Sequence, residues 1–454
     1  MFLGNATSAA TSGLDSIERQ LAVVSQNVSN ASTPNYVVET VPLSSLDSAG
    51  GPAGVRAGQP QRQIDLTLQA NLFASLGQES GSNVTQSALS AIDQASGTPG
   101  SGQDLPTLLG TLRDSFSTLT TDPASGSQQL DVLDKAGAVA NGIQSLGNSI
   151  VQGRQAAQDT LVSDVTTVNT ALTSLGTLST QIIAAKAAAQ STAGLEDQRD
   201  GQMQNLAQIL GAKFVPQPNG DILVIAGNSV IPTRATSGPF SLGPVNFTPG
   251  TPAASVPPLV MDGSPIAGLG GEVGANLTLR DHTLPGMQAG LDGFAQSLAS
   301  TFQAQGLPLF TDGSGAVPPA GTLGFSGTIQ VSAAVQATPT MLRDGIGAPG
   351  PAGNTALISH VLNNVFSSAA TGVPNQASSL VANYAGMASQ ASAQATTNTS
   401  LRTGLANRLS SVTSVSVDSE LSQMVQLQAA YAANAKVIAA TQTMWTQLLQ
   451  AIVV

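Results

Sequence analysis

Apolar residues recur at spacings of three and four at both ends of the chain. Near the start they are Ala6, Ala10, Gly13, Ile17, Leu21, Val24 and Val28, and near the end Val417, Leu421, Met424, Tyr431, Ala435, Ile438, Trp445, Leu448 and Ile452. That spacing predicts two amphipathic helices. At 1.5 Å per residue, the first would run roughly 38 Å. Asp418 and Glu420 favour the start of the second through the helix dipole. Chain ends are usually loose polar tails; these carry stripes that need a partner surface and can pair with each other as a coiled coil.

The interior divides by its prolines, which break helix interiors. Eighteen of 25 lie from Pro216 to Pro374, none falls between Pro123 and Pro216, and none follows Pro374. A heptad-like stripe through Ile143, Leu146, Ile150, Ala157, Leu161, Val165, Val168, Leu172, Leu175 and Ile182 predicts a long helix over 143–189. A second, rich in Ala and Ser, is expected over 376–409, and the two would pack side by side, extending the terminal pair. In the proline-rich stretch, Lys213-Phe214-Val215 and 221–225 flank Asn219-Gly220, a favoured two-residue hairpin turn. Short strands are expected at 239–242, 259–261 and 329–331, a helix at 287–305, and loops at 238–258 and 311–322.

The expected fold is therefore mainly α: an elongated helical bundle or coiled-coil stalk formed by both chain ends, with an inserted β-rich domain. In residues, 1–40 with 415–454 would form a terminal coiled-coil axial domain. Segments 41–212, 281–310 and 352–414 would form a helical stalk domain, and 213–280 with 311–351 a Pro/Gly-rich outer domain.

Composition sharpens this picture. With aromatics at 3% and charged residues at 9% of 454 residues, burial must come largely from Ala, Leu, Val and Ile, which favours closely approaching helices over aromatic-centred packing. No cysteine is present, which excludes disulfides and thiolate metal sites. A net charge of −11 opposes binding to a phosphate backbone and argues against a nucleic-acid partner. No apolar run is long enough for a membrane span, so no membrane insertion is expected. No Lys or Arg precedes Arg19, so a cleaved secretory signal is not expected either.

Candidate chemistry is sparse. His282 and His360 are far apart and in no metal-ligand spacing. Gly313-Ser314-Gly315 and Gly263-Ser264-Pro265 lack the frame of a nucleophile elbow and read as turns. The run Glu196-Asp197-Gln198-Arg199-Asp200 reads as a charged helix start, with Arg199 available for local pairing. Catalytic, cofactor-binding and metal-binding residues are all expected to be absent, and an enzyme is not predicted.

The first helix ends in Asn27-Val28-Ser29-Asn30-Ala31-Ser32-Thr33-Pro34-Asn35-Tyr36, where Thr33-Pro34 forbids continuation and Asn35 can adopt the left-handed conformation. The segment resembles the Asn-x-x-Asn-x-x-Thr-Pro-Gly-Tyr signature of axial proteins of the bacterial flagellum, matching at Asn27, Asn30, Thr33, Pro34 and Tyr36 and departing at Asn35. Asparagine is the next best residue at positive φ. The helix Leu195-Glu196-Asp197-Gln198-Arg199-Asp200, with Leu206 to Gly211 and the strands after it, is similar to the Leu-Leu-Asp-Gln-Arg-Asp helix and hairpin of the flagellar hook-associated protein 1 family. Met424, Gln428, Tyr431, Ala433, Asn434 and Val437 resemble that family's C-terminal helix, and Gly290-Leu291-Asp292-Gly293-Phe294 fits its return to the stalk.

This resemblance implies a structural protein joining the flagellar hook to the filament. Its implied partners are copies of itself in a ring or helical layer, hook protein, the second hook-filament junction protein and a flagellar export chaperone. Its implied location is extracellular, reached unfolded through the type III apparatus. On this reading the assembly interface holds Ile17, Leu21, Val24, Asn27, Asn30, Thr33, Pro34, Tyr36, Leu421, Met424, Tyr431, Ile438, Trp445 and Leu448. The alternatives are another axial protein (hook protein or the second junction protein) and a secreted hydrolase on a helical stalk.

Overall fold

The computed structural model describes residues 2–48, 51–97, 100, 102–235 and 238–452. In chain order, α1 (Phe2–Asn30) leads into β1 (Glu39–Thr40), β2 (Leu43–Ser48), β3 (Gly51–Ala57) and β4 (Gln61–Arg62). Helices α2 (Leu66–Ser96), α3 (Leu105–Leu119), α4 (Gly126–Ala187) and α5 (Ala193–Leu210) follow. Next come β5 (Lys213–Pro216), β6 (Ile222–Ala226), β7 (Ser229–Ile231), β8 (Phe240–Ser241), β9 (Val260–Met261) and β10 (Ser264–Pro265). Helix α6 (Gly271–Thr278) passes through a π turn (Leu279–Thr283) into α7 (Leu284–Ala304), ahead of β11 (Phe310–Thr311) and β12 (Gln330–Val331). The chain closes with α8 (Ala333–Ala337), α9 (Met341–Asp344), α10 (Ala356–Asn364), α11 (Val373–Thr413) and α12 (Val417–Ile452). The mainly helical expectation holds, with both terminal helices long and the sheets small. Among the described residues no helix is long and apolar enough to cross a membrane.

The chain divides into two compact units, 1–77 with 168–239 and 400–454, and 78–167 with 240–399. In the first unit, α1 pairs with α12, and β5, β6 and β7 form an antiparallel sheet. The β5–β6 connection is longer than the two-residue turn expected: Pro216 pairs with Ile222, and the Gln217 carbonyl accepts from Gly220 N at 2.9 Å. Gly220, at φ +96°, still supplies the left-handed step. Phe73 of α2 meets Phe214 of β5 edge-on, with centroids 5.7 Å apart. At Gly77, a Cβ would stand 2.7 Å from the Ala207 carbonyl oxygen, so glycine lets α2 approach α5. The predicted long stripe is buried here at Val168, Leu172, Leu175 and Ile182.

The second unit buries the rest of that stripe, Ile143, Leu146, Ile150, Ala157 and Leu161. Helix α4 starts 17 residues before the expected 143, because Val132, Ala136 and Val139 continue the buried face towards its N-terminus. Its core is built largely of Leu, Ala, Val and Ile, as expected, with one aromatic run among them. Phe116, Phe302, Phe310 and Phe366 form a chain of ring contacts with centroids 5.4–6.2 Å apart. Here α3, α7, β11 and the bend after α10 meet, and rings fill space that Ala and Val leave open. Asp292 is buried in α7 and accepts from Gly324 N at 2.7 Å, Ser326 N at 2.8 Å and Ser326 Oγ at 2.6 Å. Asp164, also buried, has no hydrogen-bond partner at Oδ2. Burial, and then the Glu272 carboxylate, push the Asp164 carboxyl up to about 7. His282 and His360 are both exposed, and Gly263 and Gly315 sit in turns at positive φ.

Candidate assembly interface

Helices α1 and α12 run antiparallel. Asn27 of α1 donates to Glu420 Oε2 at 3.2 Å, whereas Gly13 faces Asn434, whose Nδ2 would lie 3.3 Å from a Cβ built there. Between these points Ile17, Val24 and Leu427 are buried together, with Leu21 and Met424 half-buried against them. On α12 the covered face follows Glu420, Met424, Leu427, Asn434, Ile438 and Thr441. That is a coiled-coil repeat of three and four.

This register differs from the sequence reading. Leu421 (47% exposed), Tyr431 (39%), Trp445 (56%) and Leu448 (47%) lie outside the seam, as do Val417 and Ala435, while Met424 and Ile438 are half-covered by it. The physical reason is that Glu420, Asn434 and Thr441 are polar. A stripe drawn through apolar residues alone slides one position towards solvent. The side chain of Ile452 lies outside the described residues. Val425, Val437, Met444 and Leu449, which the stripe omitted, are exposed as well.

A second face of α1, beside the α12 seam, is covered by the β2–β3 hairpin, which the sequence reading did not contain. Ser12 Oγ accepts from Val55 N at 3.2 Å, and Ser16 Oγ donates to the Val55 carbonyl at 3.4 Å. The approach is so close that a Cβ on Gly54, at φ +142°, would fall 2.1 Å from Ser12 Oγ. Its signals in the sequence were weak, because strand β3 is read through Gly51, Pro52 and Gly54.

The signature turn is organised by Asn27, which is 1% exposed. Its Oδ1 accepts from Tyr36 OH at 2.8 Å and from Glu39 N at 3.0 Å, and its Nδ2 donates to the Glu39 carbonyl at 3.0 Å as well as to Glu420. A carboxamide has two donors and two acceptor lone pairs, so Asn27 is saturated. Thr33 N donates to the Asn30 carbonyl at 2.9 Å and Thr33 Oγ1 to Asn30 Oδ1 at 3.1 Å, which folds the chain back ahead of Pro34. Asn35 has φ 63°, the left-handed conformation expected of it. The Val38 amide donates to the Thr413 carbonyl at 2.9 Å, tying the turn to the end of α11. Thr33, Pro34 and Asn35 are exposed and border a groove of about 830 Å³ with Thr177, Gln181 and Gln198. Of the predicted interface residues, Asn27 therefore acts inside the fold, Ile17, Leu21, Val24, Met424 and Ile438 belong to the α1–α12 seam, Asn30 and Tyr36 shape the turn, and the others face outwards.

Arg62, at the end of β4, is 5% exposed and meets three carboxylates of α5: Asp197 at 2.7 Å, Glu196 at 3.7 Å, and Asp200 in close contact. Asp200 also accepts from Gln69 Nε2 at 2.6 Å. Arg199 does not pair with its acidic neighbours; its Nη1 donates to the Gly220 carbonyl at 2.9 Å and braces the hairpin. Burial pushes the Asp197 carboxyl up to about 6, although Arg62 and the Val37 N–H favour its charged form. Burial, and then Asp197, raise Glu39; burial, and then Glu39, raise the Tyr36 phenol. Arg62, Glu39, Gln69 and Thr413 escaped the sequence reading. A usable signal was that Arg62 is the single cation between Arg56 and Arg113. Among the described residues, no group of three or more His, Cys, Asp or Glu is arranged to hold a metal ion.

Comparison with known proteins places these features. Residues 89–312 match the flagellar hook-associated protein FlgK helical domain, and residues 411–451, covering α12, match the flagellar basal body rod FlgEFG protein C-terminal domain. No curated protein matches the chain. Among solved structures, the flagellar hook junction protein FlgK from Burkholderia pseudomallei is similar at 24% identity and a TM-score of 0.44, over 55% of this chain and 46% of that one. The match thus spans less than half the length of that relative. With the helical domain in the interior and the axial C-terminal domain at the end, this chain belongs to the flagellar hook-associated protein FlgK family.

Proposed function

We propose that this chain is a structural subunit of the bacterial flagellum that joins hook to filament by polymerising through its terminal helices. The observation that carries the proposal is the outer face of α12, where Met444, Trp445, Leu448 and Leu449 are about half exposed while α1 is covered on two sides. Such an apolar face is stabilised when a neighbouring copy covers it, as a contact repeated around an axis. In this reading 1–40 with 415–454 form the axial domain, 41–212 with 281–310 and 352–414 the stalk, and 213–280 with 311–351 the outer domain. Partners are further copies of the chain, hook protein and the second junction protein, with a chaperone on the C-terminal arm before export through the type III apparatus to the cell exterior. The role is structural, not enzymatic.

The test is substitution on the outer face. Leu448→Asp and Leu421→Asp should leave the monomer's helix content and melting temperature unchanged, because both sites are exposed. Both should block incorporation, because an unpaired charge would be buried in the contact. Cells carrying either variant should bear hooks without filaments and shed flagellin into the medium. Normal filaments would overturn the proposal.

A further inference from the structure

Around Asp197 the first unit gathers more buried negative charge than positive. Helix α5 contributes Glu196, Asp197 and Asp200, β1 contributes Glu39 and α12 contributes Glu420, while the signature turn adds the Tyr36 phenol. Facing them are the cations Arg62 from β4 and Arg199 from α5, the second also close to Asp221. Glu39, Glu420 and Arg62 are each nine-tenths or more buried. Coulomb repulsion between carboxylates at partly buried sites is several times that in water, and two guanidinium groups cannot neutralise five anions.

These groups also lie on the connections that hold the chain ends. Glu39 pairs with Arg62 in the β1–β4 ladder, and the Arg62 side chain meets Asp197 and Asp200 of α5; Val38 N is held by Thr413, Glu39 is clasped by Asn27, and Asn27 reaches Glu420 of α12. One short segment, 36–39, therefore links α5 to α1, α11 and α12 together.

We propose that this carboxylate cluster is a proton-operated joint: docking the α1–α12 pair, through segment 36–39, onto α5 takes up a proton, and losing that proton loosens the pair. The elevated Asp197 carboxyl names the proton's site, and Glu39, shifted the same way, adds to it. The folded group binds its proton more tightly than the unfolded one. Its contribution is complete below the ordinary carboxylate range and is lost as pH rises through about 6. The docked arms are then tight in mild acid and loose in mild alkali. The inference does not depend on the chain's place in the flagellum.

Hydrogen exchange of the full chain at pH 5 and pH 8, corrected for intrinsic rates, tests it. Amides of 24–40 and 413–424 should open about tenfold more at pH 8, the factor expected for a carboxyl shifted to about 6, while any change in the amides of α3, which shares its unit with Asp164, should persist unaltered in Asp197→Asn. Asp197→Asn, which keeps the side chain's shape without its charge, should remove most of the difference and hold the arms closed at both pH values. Equal opening in the wild-type chain would overturn the proposal, as would an undiminished difference in Asp197→Asn. The wild-type series decides even if the variant does not fold.

Discussion

At the scale of single residues, Asn27 and Asn35 show how much of a short signature is internal architecture. Asn27 saturates all four hydrogen-bonding positions with partners 9, 12 and 393 residues away. Its importance was legible in the sequence, but its role was not, because nothing near residue 27 announces Glu39 or Glu420. Asn27→Ala should destabilise the first unit by about 3 kcal/mol in denaturant unfolding, since it strands buried polar groups on both neighbours. At Asn35 the left-handed backbone was expected from the residue type and is present. Asn35→Ala should cost about 1 kcal/mol, whereas Asn35→Gly should change stability little, because glycine adopts that conformation freely. Thermal melts of the two variants would separate the outcomes.

At the scale of elements, long helices with apolar periodicity were readable, and α4 buries nearly every residue assigned to its stripe. What periodicity could not supply was the identity of the neighbour. Polar seam residues shifted the register of α12, and the hairpin over α1 is written in glycine, proline and serine, which carry no alternation to detect. The phenylalanine chain was equally hidden, because Phe116 and Phe302 come from two separate helices and Phe366 from the bend after α10. Phe302→Ala should cost about 4 kcal/mol, and a melt followed in the ring-rich near-ultraviolet should report it. Val24→Asp, by contrast, puts a charge in the α1–α12 seam and should lower helix content, unlike the exposed Leu448→Asp.

At the scale of the whole molecule, the acidic balance becomes a pH dependence. Asp197 and Asp164 both have folded-state carboxyls raised above the usual ~3.9, to about 6 and about 7. Each favours the folded state below pH 4, and that support fades as pH rises through its folded value. The melting temperature should therefore fall between pH 5 and pH 8. Asp164→Asn should recover about 1 kcal/mol at pH 8, after allowance for screening, and nothing at pH 4. Calorimetry at these pH values checks the sign. A last consequence follows from the hairpin laid over α1. One terminal helix is held from two directions and the other from one, so their tolerance to sequence change differs in kind. In a library screened for soluble protein that no longer assembles, the surviving substitutions should gather along the outer face of α12. The same screen should leave the two covered faces of α1 nearly blank, because changes there remove the protein before they can remove its assembly.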